Sequence, residues 1–213
     1  MRLADYIRSM FQEPRAHFDK RKGWIEVVCG SMFSGKTEEL IRRLTRAKIA
    51  NQNVEIFKPT LDNRYNETEV VSHNSNSIQS TPVMASVNIL LMSGEANVIG
   101  IDEAQFFDDE LVNVCQNLAE QGKRIIVAGL DMDYLGKPFG PVPELMAVAD
   151  YVTKLHAICM SCGDVATHSF RKVNVDNLVM LGESDTYEAR CRTCFNEGMK
   201  NSLSQEKNTA HSV

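Results

Sequence analysis

The amino-acid sequence predicts an α/β protein, a mainly parallel sheet flanked by helices with a small zinc-ribbon unit appended. Three observations carry that expectation. Residues 30–37 form a phosphate-loop pattern between an apolar run and a helical stretch. A second apolar run, starting at Val98, ends in two carboxylates. Four of the six cysteines stand in two C-x-x-C pairs.

The first strand is expected over residues 24–29, and the loop after it reads Gly30-Ser31-Met32-Phe33-Ser34-Gly35-Lys36-Thr37. Two glycines let successive backbone N–H groups turn inward around a polyphosphate. Lys36 can reach the β- and γ-oxygens, and the Thr37 hydroxyl can hold Mg²⁺. A helix over residues 36–50 adds its positive N-terminal end to the same anion. An ordinary Gly/Ser turn would carry similar letters, and the flanking strand and helix favour a nucleotide site. On that helix Leu40, Ile41, Leu44 and Ala47 share one face, whereas Arg42, Arg43 and Arg46 are expected to point into solvent.

A strand over residues 54–57 precedes the run Val98-Ile99-Gly100-Ile101-Asp102-Glu103. An uncharged run of this kind fits a strand buried on both faces, and parallel sheets keep their ligands at the carboxyl ends of their strands. Asp102 is the expected Mg²⁺ residue and Glu103 the general base, against the plainer alternative of two solvated acids at a strand end. A helix over 110–121, a strand over 124–130 and a strand over 151–155 complete the alternation.

Cys159, Cys162, Cys191 and Cys194 can grip one tetrahedral Zn²⁺ through four thiolates, with no position left open for catalysis. Closing the loop of residues 163–190 costs roughly 3 kcal/mol. A structural zinc site supplies about 10–16 kcal/mol. Disulfides are the rival pairing, but no secretory signal or long apolar span is read, so a reducing compartment is expected. Cys29 and Cys115 read as core fillers.

The chain has 213 residues, 43% hydrophobic and 24% charged, with a formal charge of −5. That supports one full core plus a small appendage, and the acidic balance disfavours binding to a nucleic-acid backbone. The expected organisation is an N-terminal extension (1–22), a phosphate-loop unit (23–156), a zinc unit (157–195) and a polar, disordered tail (196–213). The extension reads as a short amphipathic helix before a basic linker rather than a signal peptide.

Further motifs are Asp62-Asn63-Arg64-Tyr65, Asp102-Glu103-Ala104-Gln105-Phe106-Phe107, Gly129-Leu130-Asp131 and Lys137-Pro138-Phe139-Gly140. Their order and spacing with the loop and the cysteine pairs, over residues 23–195, resemble the type II thymidine kinases. The resemblance implies a P-loop, RecA-like fold with a zinc-held lasso. It implies transfer of the γ-phosphate of ATP, with Mg²⁺, to the 5′-hydroxyl of thymidine, giving dTMP and ADP in nucleotide salvage, with deoxyuridine as a further acceptor. Glu103 would accept the proton, with Lys36 and Arg64 offsetting charge on the moving phosphate. Residues 30–37 together with Asp102, Glu103, Ala104 and Gln105 would bind ATP. Met32, Leu130, Tyr134, Phe139 and Tyr187 would line the nucleoside pocket, with the backbone near Met180 and Gly182 against the base. Ser169, at a place held by Thr in the human member of the family, would lie at the 5-methyl group. The zinc clamp would order the lasso, so its loss is expected to fall on thymidine far more than on ATP.

The resemblance further implies a cytoplasmic homotetramer inhibited by dTTP, with no nucleic-acid or membrane partner. Two other classes remain. Asp102-Glu103-Ala104-Gln105 also resembles the acidic motif of helicases, and a zinc ribbon can bind nucleic acid, so a DNA-dependent ATPase is the alternative; no basic stripe or second motor unit supports it. A nucleotide-binding switch is the third, and an acid placed to deprotonate a hydroxyl speaks for turnover.

Overall fold

The structure is a computed structural model and describes residues 23–60, 69–71, 77–172 and 186–210. In chain order its strands are β1 (Trp24–Gly30), β2 (Val54–Pro59), β3 (Glu69–Val71), β4 (Ser77–Gln79), β5 (Thr81–Val83), β6 (Val98–Ile101), β7 (Arg124–Gly129), β8 (Tyr151–Leu155), β9 (Ala157–Ile158), β10 (Val165–Ala166), β11 (His168–Arg171) and β12 (Tyr187–Arg190). Its helices are α1 (Lys36–Ile49), α2 (Val87–Met92), α3 (Leu111–Glu120), α4 (Val142–Val148) and α5 (Arg192–Ala210).

Six strands form one sheet in the order β5-β2-β6-β7-β1-β8, and every neighbouring pair is parallel. The strand pleat sends alternate side chains to opposite faces. Val27 and Cys29, Ile99 and Ile101, and Ile125 and Val127 meet α2, α3 and α4 on one face, where Ile89, Leu111, Leu118 and Leu145 cover them. Val28, Val98, Ile126 and Ala128 point the other way and are covered by Leu40, Ile41, Leu44 and Ala47 of α1. Burying each such Leu or Ile side chain contributes about 1.5–3 kcal/mol. Gly100 lets α1 approach closely, since a Cβ there would stand 2.7 Å from Leu44 Cδ1.

Arg43 departs from the solvated face expected of it. It is 2% exposed, and its guanidinium donates to Glu26 at 2.8 Å, Glu39 at 2.7 Å and Thr153 at 3.0 Å. Arg124 reaches the same Glu26 at 2.6 Å, so a carboxylate on β1 is neutralised from α1 and β7 together. Helical spacing explains the position, because residue 43 falls between Leu40 and Ala47 on the covered side. Arg42 and Arg46 do face outward.

Beyond β8 the chain builds two small antiparallel pairs, β9–β10 and β11–β12. The stretch after residue 196, read from its composition as disordered, is instead helical to Ala210 as part of α5. Glu197, Lys200, Gln205, Glu206 and Lys207 favour a helix, and the second cysteine pair starts it, with the Phe195 amide donating to the Cys191 carbonyl at 2.9 Å. No helix among the described residues is long and apolar enough to cross a membrane.

Candidate nucleotide site

The loop lies at the carboxyl end of β1, between β7 and β8 in the sheet. Gly30 has φ 144°, and a Cβ there would stand 2.2 Å from the Leu155 carbonyl. Gly35 has φ 83° and leads directly into α1. Phe33, between them, also takes a positive φ of 63°. For a bulky side chain that conformation costs on the order of 1–3 kcal/mol and requires support from its surroundings. The Lys36 ammonium donates to the Ser31 carbonyl at 2.8 Å, as does the Ser34 hydroxyl at 2.8 Å. Burial lowers the Lys36 pKa, while the charges of Glu103, Asp102 and Asp131 oppose that shift.

Asp102 and Glu103 follow β6, on the opposite side of β7 from the loop strand. Asp102 is buried, and its carboxylate accepts from the Thr37 hydroxyl at 3.4 Å and from the Glu103 amide at 3.0 Å. A hydroxyl and a carboxylate this close are the oxygen donors Mg²⁺ takes from a protein, leaving its remaining positions to water and phosphate. Burial first, then the Glu103 charge, push the Asp102 carboxyl up to about 7, against the Glu103 amide, Lys36 and Thr37.

Glu103 stands in the left-handed region at φ 53° and ψ 40°, and its side chain is exposed. Gln105 fixes it. The Gln105 carbonyl oxygen accepts the Leu130 amide at 2.9 Å, which leaves its NH₂ to donate to the Glu103 carboxylate at 2.5 Å. That orientation demands an acceptor at Glu103, as an ionised carboxylate is. Ala104 lies wholly inside the core.

Cys159, Cys162, Cys191 and Cys194 come together with their sulfurs all within 4.8 Å. Four ligands at about 2.3 Å from a tetrahedral Zn²⁺ stand about 3.8 Å apart. The Cys162 and Cys191 sulfurs are 3.7 Å apart, so the set fits that ion. Burial raises the Cys159 thiol, but amide groups of Cys191, Cys162 and Ser161 outweigh it and bring it down to about 6. The neighbouring sulfurs push the Cys162 and Cys194 thiols up, so without a metal the first thiolate of the set falls on Cys159. Ala157, Ala166 and Ala189 pack around the buried cysteines, and Phe33 of the loop packs onto the same cluster.

The residues expected around a nucleoside are distributed as follows. Met32 donates its amide to the Ser169 hydroxyl at 3.0 Å, which engages that hydroxyl with the loop. Asp133 accepts the amides of Leu135 at 2.8 Å and Lys137 at 2.9 Å, so residues 133–137 form a pinned turn. Tyr134 stands on that turn with the Arg171 guanidinium 3.5 Å from its ring centroid. Phe139 meets Phe106 edge to face at 5.6 Å. Tyr187 is buried and pairs with Arg171 across β11 and β12. Leu130 is half-buried beside Gln105. Arg64, Met180 and Gly182 lie outside the described residues.

Asp131 and Lys154 received no role from the sequence. Asp131 follows β7, the strand between β6 and β1, and pairs with Lys154 of β8 at 2.5 Å. Its position one residue past a predicted buried strand was the available signal.

Residues 23–195 match the family model described as Thymidine kinase. The protein named Thymidine kinase in Porphyromonas gingivalis (strain W83) is 64% identical over 175 residues, covering 82% of this chain and 86% of that one. Its namesake in Rhodothermus sp. is 61% identical over 185 residues, 87% of each chain. That of Bacteroides thetaiotaomicron is 59% identical over 186 residues, 87% of this chain and 94% of that protein.

Proposed function

This chain belongs to the thymidine kinase family, and on that premise we propose that it transfers the γ-phosphate of ATP to the 5′-hydroxyl of thymidine, yielding dTMP and ADP, and to that of deoxyuridine, yielding dUMP and ADP. Glu103 carries the reading. A strained, exposed carboxylate, oriented by Gln105 and set beside the loop lysine, suits a base that takes a proton from an incoming hydroxyl. Lys36 leaves the Ser31 carbonyl for the phosphates and, with Arg64, offsets charge on the transferring group. Thr37 and Asp102 hold Mg²⁺, whose charge offsets that of the β- and γ-phosphates when bound. Backbone N–H groups of residues 30–37 cradle the nucleotide.

Met32, Leu130, Tyr134, Phe139, Ser169 and Tyr187 form the nucleoside side of the site, together with the backbone near Met180 and Gly182. Cys159, Cys162, Cys191 and Cys194 hold one structural Zn²⁺. The working protein is a cytoplasmic homotetramer restrained by dTTP, as the family resemblance suggests. ADP release measured with ATP and Mg²⁺ tests the assignment. Thymidine should stimulate it and single-stranded DNA should not; stimulation by DNA alone would make the protein a DNA-dependent ATPase instead.

A further inference from the structure

We propose that the four-cysteine unit positions the phosphate loop through Phe33 and Ser169, so that its metal governs ATP affinity as well as the nucleoside side, a departure from the expectation that zinc loss falls far more on thymidine than on ATP. The inference rests on the reading of residues 30–37 as the ATP site.

Phe33 sits inside the loop in a left-handed conformation that bulky residues avoid. Neither loop glycine supplies a reason for it, because Gly30 and Gly35 already provide the turns. The reason lies outside the loop. The Phe33 side chain packs on the cluster of Ala157, Cys159, Ala166, Ala189 and Cys191, whose own members are all small. Side chains of this size bury little area among themselves, so an aromatic ring is a large part of the apolar surface available to them.

The adjoining residue makes a second tie. The Met32 amide donates to the Ser169 hydroxyl at 3.0 Å. Ser169 is buried on β11 and pairs with Ala189 of the same cluster on β12. Two consecutive loop residues are therefore fixed to the cysteine unit, one through its side chain and one through its backbone. Two of the sulfurs expected to bind zinc, those of Cys159 and Cys191, belong to the cluster that receives the ring. Loss of the metal would loosen the surface that holds Phe33 in its unfavourable conformation, and the loop amides would lose their alignment towards phosphate. Phe33 and Ser169 are thus positioning residues, acting on the phosphate through the backbone they fix.

The test is ATP binding, measured calorimetrically with Mg²⁺ and no nucleoside, on zinc-loaded and zinc-stripped full-length protein. Stripping the wild type should weaken ATP binding by about tenfold or more. Phe33→Ser should weaken it similarly while keeping its zinc, and stripping that variant should then change little, since the connection is already cut. Phe33→Leu, which keeps an apolar anchor, should come back to within about threefold of wild type. An ATP affinity indifferent to zinc in the wild type would overturn the proposal, as would independent, additive losses from metal removal and Phe33→Ser. Wild type that failed to bind ATP under any condition would instead overturn the assignment of the loop itself.

Discussion

Glu103 occupies a conformation that a non-glycine residue adopts only when its neighbours impose it, and both neighbours can be named. The Asp102 carboxylate accepts from its amide, and the Gln105 side-chain NH₂ donates to its carboxylate. Glu103→Gln keeps size and placement but removes the basic oxygen. It should lower kcat by about 10² to 10⁴ and leave ATP affinity near that of the wild type; steady-state kinetics beside a binding titration would show this, and an unchanged kcat would move the base elsewhere. Asp102 gives a pH signature. Its folded value, about 7 without a metal, lies above the unfolded value of about 3.9. The native chain therefore holds the extra proton between those limits, and stability falls as pH rises through that window. Thermal unfolding in Mg²⁺-free buffer should show the wild type losing stability from pH 5 to pH 8 relative to Asp102→Asn, with added Mg²⁺ and ATP reversing the loss. Equal pH dependence in both proteins would mean that Asp102 is not the perturbed acid. Both acids were legible from their place at the end of an apolar run. The part of Gln105 was not, because it depends on Leu130, a residue brought beside it only by the pairing of β6 with β7.

At the scale of elements, β1 and α1 are joined by hydrophobic contact and by the charge cluster around Glu26. That carboxylate is wholly buried and is satisfied by Arg43, Arg124 and the Trp24 indole N–H, which donates at 2.7 Å. Removing one member leaves the others charged and desolvated. Glu26→Ala should therefore cost about 3–5 kcal/mol in urea unfolding, and a loss under 1 kcal/mol would show that water or Glu39 compensates. The helices α1 and α3 were visible through a repeated helical period, and the strands β1, β6 and β7 as largely apolar runs. The six residues of α2, the seven of α4 and the three of β5 were not. Segments that short take their form from what they cover, as Ile89 and Leu145 do over the central strands. Arg43 was misread for a related reason: charge suggested solvent, and the buried partner that reverses that expectation lies on another element.

Across the whole molecule, sheet order gathers the site from segments far apart in sequence. β6, β7 and β1 lie side by side, so their carboxyl ends bring Asp102, Asp131 and the loop to one edge, and β8 adds Lys154. The cysteine unit continues from that edge and closes back on the loop through Phe33 and Met32. From the sequence the two C-x-x-C pairs could be assigned a metal but not a contact with the loop, since nothing in their spacing reports where a folded ribbon will lean. So gathered, the site is suited to move phosphate to a nucleoside rather than to water. This is tested most directly by incubating the purified protein with γ-labelled ATP, Mg²⁺ and thymidine and following the label. Label should appear in the 5′-phosphate of dTMP, one for each ADP formed. Label released as inorganic phosphate, with thymidine unchanged, would contradict it.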